Sequence, residues 1–268
     1  MIRTFIKGLL FPPKTDTEKL LAVASEFPRY TSHTFSYRDI KLEVTDFLSV
    51  AWQLKEFYED GRMDFKVNKP NPVIYDCGSN VGVSVLYYKK LYPEAIIKAF
   101  EPDSNVFRCL KRNVEQNNIK DVQLFEKAIW KNNEGIEFGS EGADGGSVFF
   151  DGNKIKLPSI RLKDLLEKET MVDLLKMDIE GAEVEVLNDC KSELKKIKYL
   201  FVEYHSWKNQ PQQLDQLLKN LSDNGFRYYI HSIHSTGGEI NQPFVNSDSD
   251  SLMDIQLDIH AVNVAFKN

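Results

Sequence analysis

Three carboxylates and one imidazole stand where buried strands should end. Asp178 and Glu180 follow the apolar run 172–177, and Glu203 and His205 close and follow the run 199–203. A positioned carboxylate or imidazole can move a proton. His205 is the first choice for such a base, because a neutral imidazole is common near pH 7. Asp178 is the second, and orienting a substrate or meeting a cofactor's amino group is its alternative role. Oxygen-rich sets with one imidazole also hold hard divalent cations, so Asp178, Glu180, Glu203 and His205 leave that reading open. A structural reading is open too, in which Glu180 and Glu183 favour the positive start of the helix that follows. Lys176 reads as a salt-bridge partner rather than a catalyst.

The second group with chemistry in it is the run 73–82, Val-Ile-Tyr-Asp-Cys-Gly-Ser-Asn-Val-Gly. Its β-branched and aromatic start predicts a buried strand that ends at Asp76. Gly78 allows a sharp turn with room for a ligand, and Gly82 opens a helix over 83–92 whose first N–H groups have no intrahelical partner. Ser79, Asn80 and Ser84 add short polar side chains at the same mouth. A second buried strand over 95–100 ends on Glu101-Pro102-Asp103, and 101 − 78 = 23 residues separate the turn from that carboxylate. The distance is close to the roughly 20 residues at which an acid reaches the ribose of a nucleotide held at the first turn. Asn80 stands where a dinucleotide fingerprint has its middle glycine. A side chain there crowds a pyrophosphate but not a methionine tail, so a nicotinamide cofactor is the weaker alternative.

The segments Asp76-Cys77-Gly78-Ser79-Asn80-Val81-Gly82, Phe100-Glu101-Pro102-Asp103, Leu175-Lys176-Met177-Asp178-Ile179-Glu180-Gly181-Ala182-Glu183 and Val202-Glu203-Tyr204-His205 resemble the FkbM-type group of class I S-adenosylmethionine-dependent methyltransferases. The resemblance covers about residues 70–205, and its most specific part is Lys-x-Asp-x-Glu-Gly-Ala-Glu. It implies a Rossmann-like seven-stranded sheet of order 3-2-1-4-5-7-6 with the last strand antiparallel and helices on both faces. It further implies that Asp76, Gly78, Ser79, Asn80, Gly82 and Ser84 hold the amino-acid part of S-adenosylmethionine. Glu101 and Pro102 then flank the ribose, and Glu126 and Ala128 flank the adenine. Strands four and five face the acceptor in that order, so Asp178, Glu180, Glu203 and His205 converge beside the transferred methyl. The implied reaction is methylation of a hydroxyl on a sugar, glycan or other small molecule. A non-catalytic binding or assembly subunit of the same fold is the competing class.

The elements that must position these groups follow from pattern. From residue 69 onward strands and helices alternate, the mark of a parallel sheet covered on both faces. Helices are expected over 104–117, 161–168, 182–190 and 211–224, and strands over 122–125, 172–177, 199–203, 228–233 and 260–266. Residues 129–159 interrupt the rhythm and read as a hairpin-like insertion. Residues 235–251, rich in Ser, Asp, Asn and Gly, read as a loop or lid. Residues 1–68 read as an extension packing on the core, with helices over 17–27 and 46–58 around one or two strands in 35–44.

With 268 residues, 42% hydrophobic and 28% charged, the chain has the composition of a soluble globular protein. A net charge of −6 disfavours a nucleic-acid partner, whose phosphates need a basic face. Cys77, Cys109 and Cys190 are scattered without disulfide or zinc spacing, which suggests a reduced, cytoplasmic protein. Residues 1–11 mix apolar and basic side chains. They are expected to pack on the domain or on a second copy in a homodimer, with peripheral membrane contact as the alternative.

Overall fold

The computed structural model describes residues 15–139, 154–232 and 253–266. The expected insertion tip, the loop or lid at 235–251 and the segment 1–11 lie outside the described residues.

The chain begins with α1 (Asp16–Ala24), the hairpin β1 (His33–Tyr37) and β2 (Ile40–Val44), and α2 (Phe47–Lys55), which continues into a π-helical turn, Glu56–Asp60. Then come β3 (Val73–Cys77), α3 (Val83–Leu91), β4 (Ile96–Phe100), α4 (Ser104–Gln116) and β5 (Val122–Phe125). Short strands β6 (Ala128–Trp130), β7 (Ile136–Gly139), β8 (Lys154–Leu157) and β9 (Ser159–Arg161) precede α5 (Leu162–Leu166) and β10 (Val172–Met177). The last elements are α6 (Glu183–Asp189), β11 (Ile197–Trp207), α7 (Leu214–Asp223), β12 (Phe226–Ser232) and β13 (Met253–Asn263).

Seven strands form one sheet in the order β12-β13-β11-β10-β3-β4-β5. Numbered from β3, that is 3-2-1-4-5-7-6 read from the other edge. Only β13 runs against its neighbours within it. The insertion holds the expected antiparallel hairpin, β7 with β8, but its base is a parallel pair, β6 with β9.

The sheet departs from expectation at its fifth and last strands. β11 continues four residues past Glu203, and β13 begins seven before His260, because the two pair from Tyr199↔Val262 to Trp207↔Met253. His205 is therefore inside a strand rather than beyond its end. Alternation hid this: Gln256, Asp258 and His260 interleave with Leu257, Ile259 and Ala261, so the stretch lacks an apolar run.

Two cores lie on the two faces of the sheet. Along β3, β10 and β11, Ile74, Leu174 and Phe201 join a cluster with α2, α3, α4 and the hairpin, whereas Tyr75, Leu175 and Val202 join one with α5, α6 and α7. Such period-two alternation is what a strand buried on both faces dictates. Toward the carboxyl ends the first face turns polar. Lys176 is the cross-strand partner of Asp76, Glu203 of Asp258, and His205 of Gln256. The N-terminal elements cover this face.

Asn113 fixes that cover. Fully buried on α4, it accepts from Glu43 N (2.7 Å) and donates to Glu43 O and Val81 O (both 2.8 Å), joining β2 to the glycine turn. Replacing it with Ala leaves buried Val81 O and the part-buried Glu43 N and O without that partner, a loss of about 2–3 kcal/mol in all. Asn113→Ala is expected to lower Tm by roughly 4–10 °C in calorimetry, at about 2–4 °C per kcal/mol for a chain of this size.

Candidate active site

The turn after β3 is set by close packing. Gly78, Asn80 and Gly82 all have positive φ, at 81°, 48° and 91°. A Cβ on Gly78 would lie 1.7 Å from the Asp178 carbonyl oxygen, so glycine is required by the neighbouring strand end as well as by the turn. The Gly78 and Ser79 N–H groups donate to Phe100 O, and Asp178 N–H donates to Cys77 O at 3.0 Å. The turn is thereby tied to the tips of β4 and β10. Beneath it, fully buried Asp76 accepts from Ser84 Oγ at 2.5 Å, while Ser79 Oγ donates to Asp76 O. At the tip of β4, Glu101 accepts from Asn80 N (3.0 Å) and Asp103 N (2.9 Å). Burial pushes its carboxyl up to about 8 against those two bonds.

The second turn follows β10. Glu180 has a positive φ of 57° and Gly181 of 100°. For a residue with a side chain that conformation costs about 1–2 kcal/mol. Glu183 holds the loop, since its Oε1 accepts from Ile179 N and Gly181 N, each at 3.1 Å. The same oxygen lies 3.1 Å from His205 Nδ1. The other ring nitrogen, Nε2, lies 3.5 Å from Glu203 and 3.7 Å from Glu180. Burial opposes charge on this imidazole, but Glu180, Glu183 and Glu203 outweigh it and hold its pKa well above the ordinary value. Glu180 is itself pushed well up, by burial first. Both His205 ring nitrogens face carboxylates and the ring does not line the cavity, so it is placed to orient those acids.

Asp178 differs. Burial and the Glu203 charge push its carboxyl up, Lys176 and His205 pull it back, and it rests at about 6. Lys176 is buried, yet its Nζ lies 2.8 Å from Gly78 O, 3.4 Å from Asp178 and 3.5 Å from Asp76. It bridges the glycine turn and the acid cluster, a larger part than the simple ion pair expected.

A cavity of about 550 Å³ joins these groups. Gly78, Ser79, Asn80 and Ser84 meet it from the first turn, and Lys176, Asp178, Glu180 and Glu203 from the second. His205 stands behind Glu180 and Glu203. Asp76, Gly82, Glu101, Pro102, Glu126 and Ala128 are not in its lining. Glu126 is exposed and accepts from Ser104 Oγ at 2.5 Å, and Ala128 N–H donates to Pro158 O. Sequence reasoning missed Trp52 and Glu56 from α2 and its π turn, Arg62, and Gln256 and Asp258 from β13, all of which line the cavity. Period-two reading of β13 would have found the last two.

Asp178, Glu203 and His205 also offer ligand atoms within 4.8 Å of one another. Lys176 already lies 3.4 Å from Asp178, and no metal ligand is assigned. Cys77, Cys109 and Cys190 are buried free thiols. Among the described residues no helix is long and apolar enough to cross a membrane.

The profile of the methyltransferase FkbM domain matches residues 76–228, from the end of β3 into the start of β12. The chain belongs to the FkbM methyltransferase family. The 2-O-methyltransferase NoeI of Sinorhizobium fredii is 29% identical over 191 residues, covering 59% of this chain and 77% of that protein. Methyltransferase sdnD of Sordaria araneosa is 30% identical over 187 residues, covering 52% and 68%. The crystal structure of an FkbM methyltransferase from Methylobacillus flagellatus is similar at 18% identity over 75% of this chain and 46% of that one, with a TM-score of 0.46. That likeness is too distant to argue from. Within this FkbM domain both turns fall inside the matched residues, whereas Trp52 and Glu56 precede them and Gln256 and Asp258 follow.

The charge state of His205 is open to direct measurement. Nitrogen-15 spectra of the imidazole are expected to show both ring nitrogens protonated at pH 7.5. A neutral tautomer at that pH would return His205 to the position of base.

Proposed function

We propose that the chain is an S-adenosylmethionine-dependent methyltransferase that methylates a hydroxyl of a small molecule or glycan, with Asp178 as the proton acceptor. The observation that carries the reading is the placement of Asp178. It shares one cavity with the glycine turn, and its own backbone touches Gly78. The relative whose name specifies oxygen as acceptor, the NoeI 2-O-methyltransferase, supports the hydroxyl.

The residues suit the cofactor. Ser79, Asn80 and Ser84 stand at the cavity wall for the methionine end, over Asp76 and Gly82. The Glu101 oxygens each keep a lone pair beyond their backbone bonds, enough to receive two ribose hydroxyls. Pro102, Glu126 and Ala128 are assigned to the ribose and adenine side. When bound, S-adenosylmethionine supplies a sulfonium-activated methyl and its own leaving group.

The chain's own work is then alignment and proton removal. The acceptor O–H gives its proton to the Asp178 carboxylate as the new O–C bond forms, and the carboxylic acid later returns that proton to water. Lys176 keeps Asp178 ionised and fixed to the first turn. His205 acts as a positioning residue that holds Glu180 and Glu203. Holding reactants in line supplies on the order of 7–11 kcal/mol, and a placed base a further 10² to 10⁴ in rate, as approximate ranges.

A base at about 6 is active when deprotonated, so the rate is expected to fall as pH drops through that value. Asp178→Asn should lower kcat by roughly 10² to 10⁴ and abolish the acid limb. Its affinity for S-adenosylmethionine in calorimetry should stay within a few fold, whereas Glu101→Ala should lose it. Normal turnover by Asp178→Asn would remove Asp178 from the role, and a silent titration of the wild type would remove the cofactor.

A further inference from the structure

The N-terminal elements are held unequally on the two sides of the cavity. Toward α4 they are tied at several points, where Asn113, Arg112 and Asn117 bond the hairpin. Toward β13, among the described residues, one ion pair runs from these elements: Arg62 Nη1 lies 3.3 Å from Asp258 Oδ2. Arg62 sits on a short strap. Phe57 and Met63, both buried in the core, fix its two ends, and beyond Met63 the Tyr92 hydroxyl pins the chain by donating to Phe65 O at 2.8 Å. Between the anchors Gly61 and Arg62 are exposed, and Asp60 and Arg62 line the cavity. The backbone there is irregular, since the π-helical turn Glu56–Asp60 runs straight into Gly61 at a φ of 63°. Such turns are found often at functional sites.

The two partners differ in what they lose on parting. Asp258 is fully buried, and its cross-strand neighbour is another acid, Glu203. Taking Arg62 away leaves that carboxylate as an uncompensated buried charge, which is costly, so the paired state is the resting one. Arg62 has a second acid within reach. Its Nη2 lies 2.9 Å from Asp60 Oδ2 on the strap itself, where Lys55 also pairs. With its side chain 38% exposed, the guanidinium can turn from Asp258, keep Asp60 and gain water. The cost of opening then falls on Asp258, and water entering the cavity lowers it by solvating the carboxylate.

We infer that the Arg62–Asp258 pair is a latch: it holds the strap of residues 58–62 across the cavity against β13, and its release admits ligands to the glycine turn and Asp178. The latch stands whatever ligand the cavity takes. Its effect on cofactor exchange alone rests on the proposed function.

The test is amide hydrogen exchange of the full chain, read by mass spectrometry, for the wild type, Asp258→Asn and Arg62→Gln. Asparagine keeps the shape of Asp258, removes the charge that Arg62 answers and leaves no buried acid behind. Amides over 56–62 in Asp258→Asn are expected to exchange about tenfold faster, equivalent to about 1.4 kcal/mol in the opening equilibrium. Those of α4 and the β1–β2 hairpin should be unchanged, and Tm should not fall, because the repulsion with Glu203 is removed as well. Arg62→Gln should loosen the same amides but lower Tm, because it leaves Asp258 unpaired. In stopped-flow measurements S-adenosylhomocysteine should leave Asp258→Asn several-fold faster than it leaves the wild type.

The inference is overturned if exchange over 56–62 stays at the wild-type rate in both variants, or if it rises equally throughout the chain, which would make the pair a general stabiliser. Faster local exchange with unaltered release of S-adenosylhomocysteine would also overturn it, leaving a mobile strap that gates nothing. A wild type that binds no S-adenosylhomocysteine in calorimetry would count against the proposed cofactor, and the exchange rates would still decide the latch.

Discussion

The ammonium of Lys176 lies between the two halves of the site, and the rest of the arrangement depends on it. It touches Gly78 O, Asp178 and Asp76 from a buried position. A lone buried charge is costly, and a buried pair is sustained only when hydrogen bonds and opposite charges surround it. Here the surroundings are complete on three sides. Asp76 is itself held by Ser84, and Asp178 by its backbone bond to Cys77. A strand interior is an expensive place for lysine, and what the expense secures is a fixed distance between the glycine turn and an acid.

The same logic explains the spacing Lys-x-Asp-x-Glu-Gly-Ala-Glu. Lys176 and Asp178 share a face because strand side chains alternate. Glu180 and Gly181 both take positive φ, so the chain reverses in two residues and starts α6 at once. Glu183 satisfies two N–H groups of that reversal and grips His205 with the same oxygen. The first acid of the motif faces the cavity and the last serves the loop. Glu180 lies between them at positive φ, 3.7 Å from the His205 ring.

Much of this was legible in residue order. The strands over 122–125 and 172–177, the glycine turn at 78–82 and the sheet order follow from apolar runs, glycine placement and the family likeness. What failed was whatever depended on pairing partners far away in sequence. His205 belongs to β11 only because β13 runs alongside it, and β13 was obscured by Gln256, Asp258 and His260 on one face. The surroundings of His205 were hidden for a related reason: Glu180, Glu183 and Glu203 reach it from a loop, a helix start and its own strand, and they raise its pKa above the ordinary value.

The N-terminal elements complete the cavity outside the motifs. The polar ends of β10, β11 and β13 share the face on which α2, α3 and the hairpin pack. Closing that face with apolar side chains would leave Glu203 with only Gln256 and His205, and Asp258 with only Arg62. Leaving it open would admit water to Asp178 and lower its pKa. Helix α2 avoids both outcomes by turning Trp52 and Glu56 inward over a cavity while Leu54 and Phe57 anchor it in the core. Asn113 joins β2 to the glycine turn, and Arg112, Gln116 and Asn117 beside it bond the same hairpin, so the cover is tied to the sheet apart from the cavity wall.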